Sequence, residues 1–217
     1  MKKVFSFVAI AAAMLIAGQA SAQMSVNAGF LNCYNNTQTK STNPLTNNEV
    51  KTDSLLNGGI GVYAGLSYNI QFTEHWSVAP GVYFNYSGMI EEKTLTTKTT
   101  NMVDINIPVL FTYKVDFTNS FGIMGFLGPN FRYGLSAKSA VKTIATNTTE
   151  TIDLYKENSF GHSPLTRPDL GLTIGVGVHF NAFQIQTGFN FGLLDRDPNK
   201  NTTQNFHQYF AGVGFVF

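Results

Sequence analysis

The chain has 217 residues, with 14 Lys or Arg against 13 Asp or Glu, and its formal net charge is +1. This balance provides no basic face and argues against a nucleic-acid partner. Charged residues make up 12% of the sequence, against roughly a quarter in ordinary soluble domains, while aromatic residues reach 13%. Low charge combined with many aromatic residues and 20 glycines favours a membrane β-barrel.

The N-terminus has the pattern of an export signal. A short basic region, Met1–Lys3, precedes the apolar stretch Val4–Ala17, and Ala20-Ser21-Ala22 supplies small residues for cleavage. The apolar stretch is too short to span a membrane as a helix. The sequence therefore predicts a signal peptide over residues 1–22, cleaved after Ala22, and a barrel domain over residues 23–217.

Strict alternation of apolar and small polar residues follows, most clearly in Gly59–Phe72. A β-strand places alternate residues on opposite faces, so this segment has one apolar face and one face of Gly, Ser, Asn and Gln. We predict eight such strands: Met24–Asn32, Gly59–Phe72, Trp76–Ser87, Met102–Val115, Phe121–Leu135, Asp169–Phe180, Phe183–Leu193 and Phe206–Phe217.

The predicted connections alternate between long and short. The long ones are residues 34–57, 88–101, 136–167 and 194–205, and the short ones are Thr73–His75, Asp116–Asn119 and Asn181–Ala182. The segment Val141–Tyr155 also alternates well enough to extend the fifth and sixth predicted strands as a hairpin above the membrane. This arrangement is typical of an all-β, antiparallel up-and-down transmembrane β-barrel of about eight strands, with short periplasmic turns, long extracellular loops and both termini periplasmic.

A secreted soluble barrel or sandwich is the alternative, because its strands alternate too. Its solvent face would carry Lys, Glu and Asp, whereas the polar face here is nearly uncharged and rich in glycine. A barrel of about eight strands has an interior that its own side chains fill. We expect inward glycines to leave room for the large inward residues Tyr63, Tyr83, Phe126 and Arg132.

Outward aromatic residues cluster near both ends of the predicted strands, as expected for two membrane-interface girdles. On the turn side these are Phe72, Trp76, Tyr113, Phe121, Phe180, Phe183 and Phe217, and on the loop side Phe84, Tyr86, Phe131, Tyr133 and Phe191. Ordinary strand propensity of aromatic residues is the competing explanation.

Three charged residues have inward parity on neighbouring strands. Asp104, Arg132 and Asp169 each lie about 11 residues from the turn-side end of their strands, which places them at one level near the loops. An unpaired charge there would cost several kcal/mol, so Arg132 is expected to bridge both carboxylates. The sequence predicts an interior charge cluster that ties three strands together, with a charged gate or binding floor as the alternative.

Several short motifs resemble the PorT-like outer-membrane β-barrel family of Bacteroidetes. These are Asp104-Ile105-Asn106-Ile107-Pro108-Val109-Leu110, Gly125-Phe126-Leu127-Gly128-Pro129-Asn130, Arg167-Pro168-Asp169-Leu170-Gly171-Leu172 with Gly175-Val176-Gly177, and Phe189-Asn190-Phe191-Gly192-Leu193. The resemblance implies a small barrel in the cell outer membrane and says little about activity. It also implies that the terminal Phe217 serves as a signal to the assembly machinery.

The histidines are the candidates for catalysis. His162 beside Ser163, or His207 with Asp195 or Asp197, could imitate the groups of lipid-modifying barrels. No spacing fixes a nucleophile, a base and an orienting acid together, so we predict no enzyme, no cofactor and no metal site.

We expect a small barrel with a filled interior that is structural or binds a surface ligand through its extracellular loops. The alternatives are a narrow channel or a transport or secretion accessory, and then a lipid-modifying enzyme. The expected partners are outer-membrane lipid, the assembly machinery and an unidentified surface ligand.

Overall fold

The computed structural model describes residues 22–42, 49–93, 96–143, 148–156, 165–197 and 202–217. Within these ranges there are nine β-strands, and no helix has the length and hydropathy to cross a membrane. The strands are β1 (Ala22–Thr42), β2 (Glu49–Gln71), β3 (Trp76–Lys93), β4 (Thr96–Thr118), β5 (Phe121–Thr143), β6 (Thr148–Asp153), β7 (Pro168–Phe180), β8 (Phe183–Gly192) and β9 (Thr202–Val216).

Eight of these strands close into an antiparallel ring. β1 pairs with both β2 and β9, β4 pairs with β5, and β5 pairs with β7, so the order round the barrel is β1, β2, β3, β4, β5, β7, β8, β9. Closure gives the strands of the wall a partner on each side, which an open sheet in lipid could not achieve. The predicted eight-stranded up-and-down barrel is confirmed.

One end of the barrel has tight connections. Asn119–Ser120 and Asn181–Ala182 are two-residue turns, and residues 72–75 form a bend. Asn181 has a positive φ of 52°, a conformation that Asn tolerates better than most residues. The predicted turn at Asp116–Asn119 is wrong, because β4 continues to Thr118.

At the other end the strands continue well beyond their predicted limits. β1 pairs with β2 as far as Thr42 opposite Glu49, and β4 pairs with β5 as far as Thr96 opposite Thr143. Much of the predicted loops 34–57 and 88–101 is therefore strand, as are residues 136–143, 148–153 and 202–205 of the other two. Alternation predicted the β5–β6 hairpin within Val141–Tyr155 but not the other extensions, because both of their faces lie outside the lipid layer and neither face must be apolar.

The two faces of the wall follow the predicted parity. On β7 the outward Ile174 and Val176 are 49% and 60% exposed, whereas the inward Thr173 and His179 are buried. The aromatic residues assigned to both girdles are all exposed on the outer face. Because an apolar outer wall is stable only in contact with lipid, the exposed surface itself indicates a membrane barrel.

Residues 1–21, which hold most of the predicted signal peptide, lie outside the described residues. Ala22 is the first residue of β1 and pairs with Ile70. Cleavage after Ala22 stays a prediction.

Candidate functional site

Four inward rings cross the middle of the barrel. They come from β2, β3, β5 and β9: Tyr63, Tyr83, Phe126 and Phe210. The ring centroid of Tyr63 lies 5.9 Å from that of Tyr83 and 6.1 Å from that of Phe210, and Phe126 stacks on Phe210 at 6.2 Å. These contacts are within the range of favourable aromatic pairs. We call the four rings the aromatic layer.

Glycines on the same inward face make room for this layer, as the sequence predicted. A Cβ added at Gly29 would lie 2.7 Å from the Tyr63 ring, and one added at Gly188 would lie 2.8 Å from the Phe210 ring. Gly65 faces the Tyr83 ring in the same way, at 2.6 Å. Distances this short mean that a side chain there would displace the rings.

Arg132 and Asp169 form a buried ion pair on the loop side of the aromatic layer. Their backbones are direct partners on β5 and β7, and both side chains are at least nine-tenths buried. The guanidinium carbon of Arg132 also lies 4.2 Å from the centre of the Phe206 ring. The Arg132–Asp169 part of the predicted interior cluster is therefore present in the structure.

Asp104 is buried as well, but Arg132 does not bridge to it. Among the described carboxylates Arg132 pairs with Asp169, and Asp104 instead accepts a 2.8 Å hydrogen bond from Asn85. The predicted register is wrong by two residues, because Asp104 lies opposite Gly134 and Arg132 lies opposite Asn106. The cause is the later turn after Thr118, together with the irregularity between Asp116 and Thr118.

Three loop segments meet above this ion pair. Arg196 is buried; its guanidinium donates to the Tyr155 hydroxyl at 2.9 Å and to the Thr166 carbonyl at 3.3 Å. The guanidinium carbon of Arg167 lies 4.5 Å from the centre of the Tyr155 ring. We call Tyr155, Thr166, Arg167 and Arg196 the loop cap. Sequence reasoning missed it, because its members come from two predicted loops with no periodic signal.

Side chains fill most of the space between the aromatic layer and the loop cap and leave chambers of about 40 Å³ and 70 Å³. Cys33 has 0% exposure and lies 3.7 Å from the amide nitrogen of Gln208. Phe206, at 1% exposure, packs between Arg132 and Arg196. The loop half of the interior is a packed polar and aromatic core.

The turn half of the interior is open by contrast. It contains a cavity of about 340 Å³ that reaches from the aromatic layer to the turn residues Asn181 and Ala182. We call this cavity the vestibule.

A hydrogen-bonded network centred on Asn27 lies in the wall of the vestibule. The Asn27 amide nitrogen donates to Ser25 at 3.1 Å and to Ser67 at 3.2 Å, and its oxygen accepts from Gln186 at 3.3 Å.

The rim of the vestibule carries its charged groups. Asp116 contacts the Lys114 ammonium at 3.2 Å and the His179 ring nitrogen at 2.6 Å. Lys114 and His179 both line the vestibule. The two basic side chains thus share one carboxylate at the turn end.

Among the residues considered for catalysis, His207 and Asp195 have other partners in the part of the chain that the structure describes. The His207 ring packs on Phe191 at 6.1 Å, and Asp195 accepts hydrogen bonds from the backbone of Asp197 and Gln204. His162 and Ser163 lie outside the described residues. No cluster of three metal-ligating side chains is present in the ranges that the structure covers.

Residues 17–197 match the family model described as an outer membrane protein beta-barrel domain. The chain belongs to this family. The match covers most of the sequence and agrees with the closed ring and the apolar outer wall. The protein is therefore a small β-barrel of the outer membrane, with its turns on the periplasmic side and its long connections outside the cell. No curated protein matches the chain in sequence.

Several solved structures have overall similarity to the chain. OprG from Pseudomonas aeruginosa is 14% identical with a TM-score of 0.45, over 92% of this chain and 98% of that one. Ail, the attachment invasion locus protein of Yersinia pestis, is 16% identical with a TM-score of 0.43, over 90% and 99%. Neisserial surface protein A is 13% identical with a TM-score of 0.42, over 92% and 100%.

Proposed function

We propose that this barrel presents a binding surface to extended polypeptides outside the cell. The observation that carries the proposal is the sheet formed by β3, β4, β5 and β6, which continues past the membrane wall. β6 pairs with the upper part of β5, from Lys138 opposite Asp153 to Thr143 opposite Thr148. Among the described strands β5 is the one partner of β6, and no described strand pairs with its other edge.

An open edge has a defined chemistry. Its backbone N–H and C=O groups can pair with an added strand, while neighbouring side chains select the sequence. The side chains from Thr148 to Thr151 are exposed and mostly uncharged. The ligand class this favours is a polypeptide segment of low charge in an extended conformation.

Excision of the β5–β6 hairpin tip tests this function. Val141 and Glu150 are cross-strand partners, so replacing residues 142–149 with Asn-Gly keeps the register and closes a two-residue turn. Cells with the intact protein should adhere to an immobilised peptide of alternating Thr and Val residues, and cells with the excised protein should lose most of that adhesion. Equal adhesion, with equal amounts of heat-modifiable barrel in both strains, would contradict the proposal.

A narrow channel is the second candidate. The observation that favours it is the alignment of the vestibule with a second chamber of about 40 Å³ beyond Tyr83 and Phe126. Reconstitution in a planar bilayer tests it, because steady unitary conductance of the wild-type protein would support a channel. The resemblance of the strand motifs to PorT-like barrels supports the related role of a secretion accessory, which a secretion profile of a deletion strain would test.

The biogenesis of the protein is part of the same proposal. The signal peptide should be removed after Ala22, so N-terminal sequencing of the mature protein should begin at Gln23. The apolar outer wall should contact outer-membrane lipid, and Phe217 should engage the assembly machinery. The surface-binding role needs no catalytic group.

A further inference from the structure

We propose that the periplasmic vestibule binds an uncharged saccharide of one or two rings. The site lies at the opposite end of the barrel from the extracellular sheet and is independent of the surface-binding role. The inference rests on the size of the cavity, on the pairing of the charged side chains at its rim, and on the hydrogen-bonding groups and rings that line it.

The size of the vestibule suits a small organic ligand. Its volume of about 340 Å³ falls at the lower end of the range for ligand pockets, roughly 300–1,000 Å³. The chamber beyond Tyr83 and Phe126 holds only about 40 Å³, enough for water. A ligand entering from the periplasm would therefore stop at the aromatic layer.

The charge of the vestibule favours a neutral ligand. Eleven of its 20 described lining residues carry a hydroxyl or an amide side chain. The charged groups at the rim are Lys114 and Asp116, which contact each other, and His179 also contacts Asp116. An ion placed deep in this cavity would lose hydration without gaining an opposite charge, which is costly.

The wall is preorganised for a ligand with many hydroxyl groups. The Asn27 amide nitrogen lies within hydrogen-bond distance of the hydroxyls of Ser25, Ser67 and Tyr83 and shares its two hydrogens among them, while its oxygen accepts from Gln186. The Ser25 and Ser67 hydroxyls also bond to each other at 2.6 Å. Each serine and tyrosine hydroxyl can donate one bond and accept two, so capacity for a ligand remains. Sugar hydroxyls both donate and accept, and groups that are already fixed lose little freedom when they bind.

The floor of the vestibule adds an apolar surface. Tyr83 and Phe126 line the cavity from β3 and β5. The faces of such rings are electron-rich and attract the weakly positive C–H groups on the apolar side of a pyranose. Hydroxyl and amide groups beside aromatic rings, without an uncompensated charge, favour a neutral sugar over an acid, an amine or a hydrocarbon.

Saturation-transfer NMR on the detergent-solubilised mature protein tests the proposal, with maltose and N,N′-diacetylchitobiose as probes. At least one disaccharide should give a saturable signal, and glucose 6-phosphate should bind at least about tenfold more weakly, a difference of about 1.4 kcal/mol. Ala79→Phe, which fills the vestibule from β3, should abolish the signal. Val78→Phe, on the outward face of the same strand, is the matched control and should retain it.

Gln184→Leu provides a second variant, since this side chain lines the vestibule and its loss leaves the Asn27 network intact. It should weaken binding several-fold while the heat-modifiable band is unchanged. The proposal is overturned if neither disaccharide gives a saturable signal with folded wild-type protein. Equal binding by glucose 6-phosphate, or unchanged binding in folded Ala79→Phe or Gln184→Leu, would overturn it as well.

Discussion

The two halves of the barrel interior differ in how they are packed. The loop half holds the buried charges of Asp104, Arg132 and Asp169 beneath a cap of loop residues, whereas the turn half leaves a neutral cavity of about 340 Å³. The aromatic layer separates them. Eight strands enclose only enough space for side chains. Large side chains fill this space in the loop half, whereas small side chains line the turn half and leave a cavity.

The largest expected effect concerns the ion pair of the loop half. Arg132→Met leaves Asp169 buried without its cation, and we expect a loss of about 3–5 kcal/mol in the free energy of unfolding. Urea titration followed by gel mobility in lipid or detergent measures it. The variant should stay non-conducting, because the aromatic layer is intact.

Two controls distinguish the effect of breaking the Arg132–Asp169 ion pair from the effect of changing any buried charge. The double variant Arg132→Met/Asp169→Leu removes both charges and should recover much of the lost stability. Asp104→Asn should cost far less than Arg132→Met, since the partner of Asp104 is Asn85. If Asp104→Asn were as damaging as Arg132→Met, the observed register of β4 against β5 would be in error.

The next largest effect concerns the aromatic layer. Phe126→Ala removes a ring that stacks on Phe210 and should cost about 3 kcal/mol, as for other buried Phe residues. The same change should join the vestibule to the chamber beyond it and raise water access to the loop half. Phe131→Ala, on the outward face of the same strand, is the control and should leave that access unchanged.

A substitution in the loop cap should affect the loop segments more than the barrel. Arg196→Met loses the bonds to the Tyr155 hydroxyl and the Thr166 carbonyl, worth about 2 kcal/mol to the closed arrangement of these segments. We expect faster proteolysis between residues 154 and 197 on whole cells, with little change in the midpoint of barrel unfolding. A loss of global stability equal to that of Arg132→Met would show that the cap is part of the barrel core.

The smallest effect on stability is expected at the terminus. Phe217 is 68% exposed on the outer face, so its deletion removes little buried contact. If it is an assembly signal, deletion should reduce the amount of assembled barrel more than Phe191→Ala does. Equal losses would mean that Phe217 is simply one more girdle residue.

The sequence predicted the membrane wall well because lipid imposes a strict rule on it. Every strand that crosses must be apolar on one face, so β7 and β8 were predicted to within one residue at each end. Beyond the lipid no such rule applies, and β2, which begins at Glu49, was predicted to begin only at Gly59. Hydrogen bonding to neighbours maintains those extensions, and hydrogen bonding leaves no hydropathy pattern.

The interior charges show that residue parity predicts which side chains face the interior but does not by itself predict strand register. Parity placed Asp104, Arg132 and Asp169 inside correctly, and on β5 and β7 the counting of residues from the turn gave the right partner. On β4 it failed, because the turn at Asn119–Ser120 and a strand irregularity moved the register by two residues. The loop cap escaped prediction altogether, since Arg196 and Tyr155 meet only after the chain has closed.

Thiol labelling tests the contrast between the two halves most directly. Cys33 is the one native cysteine and lies buried in the loop half, and Ala79→Cys in a Cys33→Ser background places a thiol in the vestibule. A water-soluble maleimide should modify this introduced thiol rapidly in the folded variant and leave Cys33 of the wild type unmodified until the barrel is unfolded. Modification of both thiols at similar rates would contradict a sealed loop half and an open turn half.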